Sequence, residues 1–387
     1  MMFGMSKERI EELKAVNTAM EIRQQPKLWR ETYKIIEENK ENIKQFLDKN
    51  LKSDTRIILT GAGTSDYVGD SIYLYLAKTL KVRVEAIATT DLVSNPSEFI
   101  EEDTNTILVS YARSGNSPES VGAYDIFQDN VKNISQLVIT CNKNGELAKK
   151  AVENDNTLCI LMPEESNDKS FAMTSSFSCM LLATLLAFDL ENLEANKSIV
   201  ESIADKGDFI LDNKWEDVKE LVDLNCERVV YLGSGILKGL CQEMALKNLE
   251  LTSGKVITVS ESVLGFRHGP KSIINDNTLV IFMNSTDEYT NLYDMDLIRE
   301  INGDTGNHKL AVISYKKNEE LNSLCDKYLE IDGVQVPEVY TIFNYMLFGQ
   351  MFGLFSSLHL GISPDNPRPD GTVNRVVQGV IIHPYNK

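Results

Sequence analysis

The sequence is short of histidine, with 4, and of tryptophan, with 2, and its positive charge is outweighed, Lys+Arg 39 standing against Asp+Glu 57 for a formal net charge of -18. A chain this acidic repels a polyanion, which excludes an extended nucleic-acid surface and leaves any small anionic ligand to local donors. The 6 cysteines, Cys141, Cys159, Cys179, Cys226, Cys241 and Cys325, form no C-x-x-C pair. Neither a zinc site nor a disulfide frame is expected of them, and reduced, mostly buried thiols are. No apolar leader opens the chain, whose first residues pass straight into charged helical sequence, so a cytoplasmic location is expected. Two apolar runs suggest membrane spans at first sight. Cys179 to Phe188 is too short, however, and Tyr345 to Leu360 is interrupted by Gln350, Ser356, Ser357 and His359, so both are expected as core helices. A G-x-x-x-x-G-K-[ST] run is also missing, which argues against ATP chemistry.

What is present is enough for a large core: 387 residues, 42% hydrophobic and 25% charged, imply two domains or two halves of one architecture. Residues 1–50 form a Lys/Glu-rich helical arm broken at Gln24-Gln-Pro26. The arm is too polar to be a domain and lacks the compact three-helix pattern of a DNA-binding headpiece. Residues 51–195 alternate short strands with helices. Ile57 to Thr60 is a strand, Gly61-Ala-Gly-Thr-Ser65 a glycine-rich turn, and Asp66 to Leu80 a helix; further strands are expected at Val82 to Ile87, Thr106 to Ser110, Leu137 to Thr140 and Thr157 to Leu161. An acidic helical connector, 196–220, leads to a second half, 221–362, on the same plan. Its strands are Arg228 to Leu232, Val256 to Val259, Thr278 to Met283 and Lys309 to Ser314, and a long helix from Val339 to Leu360 closes it. This alternation predicts an α/β fold of two tandem, doubly wound parallel sheets, flavodoxin-like, with ligands beyond the carboxyl ends of the strands. Residues 363–387, rich in proline, are expected as an irregular tail over the active site.

The chemistry is expected first in Val109-Ser-Tyr-Ala-Arg-Ser-Gly-Asn-Ser-Pro-Glu-Ser120, a strand running into a turn and then a helix with Pro118 in its first turn. The first amides of a helix lack internal partners and carry partial positive charge, and the Ser114 and Ser117 hydroxyls can donate to the same phosphate oxygens. An ordinary serine N-cap would look the same. The Gly61 to Ser65 turn lacks the third glycine of a dinucleotide fingerprint, so a nicotinamide cofactor is not expected, and Ser65 caps a helix facing the same crevice. Glu243, Lys247 and Glu250 share one helix face, the pattern of a solvated surface ion-pair network, which a nearby histidine raises to a candidate acid–base site. His268, in Gly265-Phe-Arg-His-Gly-Pro270, lies on a stiff loop, and a carboxylate with a histidine supplies a base and an acid near neutral pH.

These motifs together carry a resemblance. The serine loop in the first half, Ala245-Leu-Lys-Asn-Leu-Glu250 with Arg267-His-Gly-Pro270 in the second, and Asp365-Asn-Pro-Arg-Pro-Asp-Gly-Thr-Val-Asn-Arg375 in the tail resemble the tandem sugar isomerase (SIS) domain family. They are similar to the isomerase part of glucosamine-6-phosphate synthase and, more closely, to the AgaS-type galactosamine-6-phosphate deaminase/isomerases, also known as tagatose-6-phosphate ketose/aldose isomerases. The resemblance implies that Ser65, Ser114 and Ser117 bind the sugar phosphate, that Glu250 moves a proton between C1 and C2 with Lys247 beside it, and that His268 assists ring opening. Two departures matter. A serine of the synthase pattern is Ala112 here, leaving Arg113 or a backbone amide to compensate. The synthase's C-terminal lysine falls at Arg375, and a guanidinium cannot form a Schiff base, so Arg375 is left to contact hydroxyls or phosphate.

No cysteine near the amino terminus could hydrolyse glutamine, so the resemblance implies release of ammonia rather than its incorporation: D-galactosamine 6-phosphate to D-tagatose 6-phosphate and ammonia. No metal or other cofactor is implied. A plain ketose/aldose phosphate isomerase, a fructosamine-6-phosphate deglycase and a non-catalytic sugar-phosphate-sensing regulator are the alternatives on the same fold. In SIS isomerases the corresponding histidine reaches into a neighbouring subunit, which implies a homodimer or higher homo-oligomer with composite active sites.

Overall fold

The computed structural model describes residues 1–333, 335–377 and 379–385. Four helices come first: α1 (Lys7–Glu12), α2 (Val16–Arg23), α3 (Gln25–Glu38) and α4 (Lys40–Asn50). The first half runs β1 (Arg56–Thr60), α5 (Thr64–Leu80), β2 (Arg83–Ala86), α6 (Thr89–Ser94), α7 (Pro96–Phe99), β3 (Thr106–Ala112), α8 (Pro118–Asn130), β4 (Ile134–Thr140), α9 (Glu146–Glu153), β5 (Thr157–Leu161) and α10 (Ser175–Ala187). After α11 (Leu193–Asn213) and α12 (Trp215–Asp223) the second half follows with β6 (Arg228–Leu232), α13 (Ile236–Leu251), β7 (Ile257–Glu261), α14 (Val263–Phe266), β8 (Thr278–Met283), α15 (Glu288–Gly303), β9 (Lys309–Ser314), α16 (Glu319–Leu324), β10 (Lys327–Glu330) and α17 (Glu338–His359).

The strands form two five-stranded parallel sheets with one topology, β2-β1-β3-β4-β5 and β7-β6-β8-β9-β10. Parallel strands covered on both faces are mostly apolar, and β3, β4 and β8 are buried along their whole length. On one face of the first sheet, Ile58 and Leu108 pack with Leu92, Ala123 and Phe127. Their counterparts in the second are Val230, Val280 and Phe282, packed with Phe266, Leu297 and Ile298. In this strand order the chain reverses direction across the sheet between β1 and β3, and again between β6 and β8, opening a crevice at the carboxyl ends of those strands. Both crevices carry the same turn. Gly63 has φ 58 and ψ -127 and Gly235 has φ 58 and ψ -125, a region that costs any residue with a Cβ.

By compactness the chain divides into two units, Met1–Pro26 with Lys169–Ala172 and Glu201–Pro369, and Lys27–Asp168 with Met173–Val200 and Asp370–Lys387. The helical arm is thus shared between them, and the tail from Asp370 belongs to the unit containing the first sheet. There Ile382 packs against Gly122 of α8, and Tyr385 lies on the cluster around Leu108. Asp365, from the motif preceding that tail, caps α2 instead, accepting from the amides of Asn17 and Thr18 at 3.0 and 2.8 Å. The two apolar runs are core helices: α10 is buried throughout, as is α17 from Val339 to Ser357. Among the described residues no single helix is long and apolar enough to cross a membrane. All six cysteines are free. Burial pushes the Cys141 thiol up to about 12, the state of an unreactive core side chain.

Candidate functional site

In the first half the site grows out of β3. The strand ends at Ala112, Arg113 follows still buried, and Ser114 to Ser117 turn the chain into α8, which Pro118 opens with its φ already helical. Neighbours hold the turn from outside. Asn142 Nδ2 donates to the Ser114 carbonyl at 2.8 Å, and the Glu146 amide donates to Asn116 Oδ1 at 3.0 Å. Ser117 stands at the N-cap position with extended backbone, but its hydroxyl donates to Ser120 Oγ at 2.7 Å rather than capping α8. The first-turn amides of a 13-residue helix are therefore left for an anion, with the Ser114 and Ser117 hydroxyls at the rim. Ser65 sits in the first turn of α5, beyond the neighbouring strand, for Thr60 of β1 is in register with Ser110 of β3. It is buried, its hydroxyl 3.8 Å from Met173 Sδ.

Arg113 and Arg375 lie on a connected chain of hydrogen bonds. Arg113 Nη2 donates to the Arg375 carbonyl at 2.5 Å. Arg375 in turn donates from Nε to the Asp168 carbonyl at 2.8 Å and from Nη2 to Asn167 Oδ1 at 3.1 Å. This guanidinium fastens the tail to the segment before α10. Asp168, which sequence reasoning passed over, is the anchor of that segment. Fully buried, its carboxylate accepts from the amides of Thr174, Ser175 and Ser176 at 2.8, 3.1 and 2.9 Å. It closes the N-terminus of α10 as an anion would. An aspartate seven residues before a serine-rich helix start is a faint signal, since ordinary caps sit immediately before the first turn.

In the second half the candidate acid–base residues lie on α13. Gly349 and Gly353 of α17 allow the two helices to approach closely: a Cβ on Gly349 would come within 2.4 Å of Met244, and one on Gly353 within 2.9 Å of Leu251. The packing that results buries the stripe in between. Lys247 and Glu243 are each 1% exposed at their side chains and Glu250 24%, so the shared face is a buried site, not a solvated network. Lys247 Nζ donates to Glu250 Oε2 at 2.5 Å and lies 3.6 Å from Glu243 Oε1. Glu250 is the member of the three that reaches the surface. It is the penultimate residue of α13, about 20 Å along the helix from the Gly235 turn. His268 follows α14 and is exposed, its amide bonded to the Gly265 carbonyl at 2.9 Å. Its loop is tied to α15 on both sides, Arg267 reaching Glu300 at 2.7 Å and Lys271 reaching Glu300 and Asp304 at 2.5 and 2.7 Å.

A cavity of about 710 Å³, lined by Lys40, Lys44, Tyr75, Leu80, Phe188 and Glu191 among others, lies at the C-terminal end of α5. That is the opposite end of the helix from Ser65, so the cavity is separate from the serine loop. Among the described residues no group of three or more His, Cys, Asp or Glu side chains is placed to hold a metal ion.

Two parallel sheets of one topology, each opened by a Gly-x-Gly-type turn, define a tandem, doubly wound α/β class. The SIS domain model matches residues 50–190 and 224–353, and the chain belongs to the SIS domain family. Within that family it belongs with the AgaS proteins. It is 41% identical to the D-galactosamine-6-phosphate deaminase AgaS of Shewanella sp. (strain ANA-3) over 99% of this chain and 96% of that one. The crystal structure of the tagatose-6-phosphate ketose/aldose isomerase from Escherichia coli superposes with a TM-score of 0.87 at 38% identity, covering 96% and 97% of the two chains. A crystal structure from Clostridium novyi NT, provisionally described by the same isomerase name, gives a TM-score of 0.97 at 46% identity over 100% and 99%.

Proposed function

We propose that this protein is a deaminase/isomerase that converts D-galactosamine 6-phosphate to D-tagatose 6-phosphate and ammonia. The observation that carries the reading is the Lys247–Glu250 pair, a carboxylate at the edge of a buried stripe with an ammonium 2.5 Å behind it. The AgaS relatives supply the substrate class. In the open-chain aldehyde, Glu250 takes the proton from C2, the electron pair of that bond moves into an enolamine, and a proton returned to C1 leaves an imine at C2. Water adds to the imine and ammonia departs, giving the ketose and balancing one water consumed against one ammonia released. His268 opens the sugar ring by moving a proton between O5 and the anomeric oxygen. Ser65, Ser114, Ser117 and the α8 amides hold the phosphate, so binding energy at C6 orients C1 and C2.

The assay is direct. Purified protein should release ammonia and ketose phosphate in equal amounts from galactosamine 6-phosphate, more slowly from glucosamine 6-phosphate, whereas ammonia with an aldose phosphate from fructosamine 6-phosphate alone would mark a deglycase instead. Ketose formation from an unaminated aldose phosphate, without ammonia release from any of the three, would replace this reading with plain isomerisation. The resemblance further supports a dimer in which His268 serves a neighbouring copy. Exchange of subunits between inactive Glu250→Gln and inactive His268→Ala proteins should then restore activity in the mixed dimer, and exchange without recovery would show that each chain builds its own site.

A further inference from the structure

Glu243 has no part in the proton transfer described above, yet its carboxylate is buried as completely as the ammonium it faces. Burying a charge is costly unless an opposite charge stands close. Glu243, Lys247 and Glu250 follow one another at spacings of four and three on α13, and Lys247 lies between the two carboxylates, 3.6 Å from one and 2.5 Å from the other. Among the described residues, the elements packed on α13 present few charged groups toward it. α17 has no charged residue between Glu338 and His359 at its ends. Glu261 of β7 is paired with Lys238 at 3.3 Å, and Arg228 of β6 donates to the Ile273 carbonyl.

During turnover the charge balance of this stripe changes. A base that has taken the C2 proton is neutral, and at that moment Lys247 faces an uncharged Glu250. A buried ammonium without a counter-charge gives up its proton readily, and Lys247 would then compete with the substrate for the proton that must go to C1. We propose that Glu243 is a positioning residue that acts through Lys247: it supplies the standing counter-charge that keeps Lys247 protonated while the charge on Glu250 disappears and returns. The inference rests on the reading of Glu250 as base. It adds that the stripe acts as a unit of three, with one carboxylate working and the other constant.

The sign of the expected effect follows from Coulomb's law. A negative charge beside Lys247 and Glu250 favours the protonated form of both, so removing it lowers both apparent pKa values. In Glu243→Gln, which keeps the shape and loses the charge, both limbs of the pH profile of kcat should move to lower pH by about one unit. The optimum rate should fall roughly tenfold, while KM changes less than twofold. Glu243→Asp keeps the charge but withdraws it by one methylene, and should move both limbs less, in the same direction. A role in packing alone would lower the rate and leave the limbs in place.

The experiment is the pH profile of both variants with the amino sugar phosphate that the protein turns over, together with C2 hydrogen exchange in heavy water for Glu250→Gln. Limbs that coincide with those of the wild type in a folded Glu243→Gln protein overturn the proposal. If that variant does not fold, unmoved limbs in Glu243→Asp overturn it equally. Normal C2 exchange by Glu250→Gln would instead overturn the assignment of the base, whatever Glu243 does.

Discussion

The same loop has opposite fates in the two halves. After β3, the turn from Ser114 to Ser117 leaves the amides of α8 available, and the Ser117 hydroxyl is directed at Ser120. After β8, the strand in the corresponding place of the second sheet, the loop is already filled. Glu338, at the start of α17, puts Oε1 2.5 Å from Ser285 Oγ, 2.7 Å from the Thr286 amide and 3.4 Å from the Asp287 amide. One topology thus produces two crevices with inward-facing donors, and a carboxylate of the chain's own takes the place of an anion in the second. Among the described residues, the first loop keeps its donors free of an internal carboxylate, and the second does not.

The comparison breaks most visibly through the base. Glu250→Gln should lower turnover by about a hundredfold or more while the phosphosugar still binds, since only the second half's contribution is removed. Calorimetric titration alongside the ammonia assay separates the two. Next in size is the double change Ser114→Ala with Ser117→Ala, which should weaken phosphosugar binding roughly ten- to a hundredfold, charge-assisted hydrogen bonds contributing about 2 kcal/mol each at most. Ser285→Ala, its counterpart in the closed loop, should leave that affinity unchanged. An equal loss from both would mean that the second loop also meets the ligand.

Glu338→Ala sharpens the contrast from the side of stability. It strips the loop after β8 of its acceptor and should cost about 1–2 kcal/mol, read as a lower melting temperature, without changing phosphosugar affinity. The smallest effect concerns pH. Burial, with Asp70 and Asp91 nearby, raises the Asp66 carboxyl from 3.8 to about 7, and its Oδ1 has no hydrogen-bond partner among the described residues. Asp294 in the second half is raised to about 6, also mainly by burial, but accepts from the Ser285 amide and the Ser234 hydroxyl. A carboxyl whose folded value exceeds its unfolded one favours the folded state below the unfolded value, and this contribution is lost as pH rises from about 4 through 7. Asp66→Asn should remove it, flattening the pH dependence of the melting temperature over that window and raising stability above pH 7.

The repeated architecture was legible because its signals are local. A run such as Arg228 to Leu232 or Thr278 to Met283 is a strand by composition, and the glycines after β1 and β6 mark turns whatever surrounds them. β10 escaped notice because Lys327-Tyr-Leu-Glu330 is four residues with charged ends, a sheet-edge strand whose pairing with β9 provides the missing evidence. Spacing alone placed Glu243, Lys247 and Glu250 on one face but left open whether that face met water. Their burial required α17, whose Gly349 and Gly353 admit α13 about a hundred residues later in the chain.

By itself, then, the sequence determined the two βα halves, the serine loop and the set of residue types available for acid–base chemistry, since each depends on neighbours within a turn or two of backbone. Only the tertiary structure decided how those groups are employed. Arg375, expected from the sequence as a substrate contact, donates to Asn167 and the Asp168 carbonyl, 208 and 207 residues away. Glu338 closes a loop 53 residues before it. A charged side chain takes whichever partner the fold brings within hydrogen-bonding distance, and a burial cost set by the whole surrounding shell selects that partner, which no local pattern encodes.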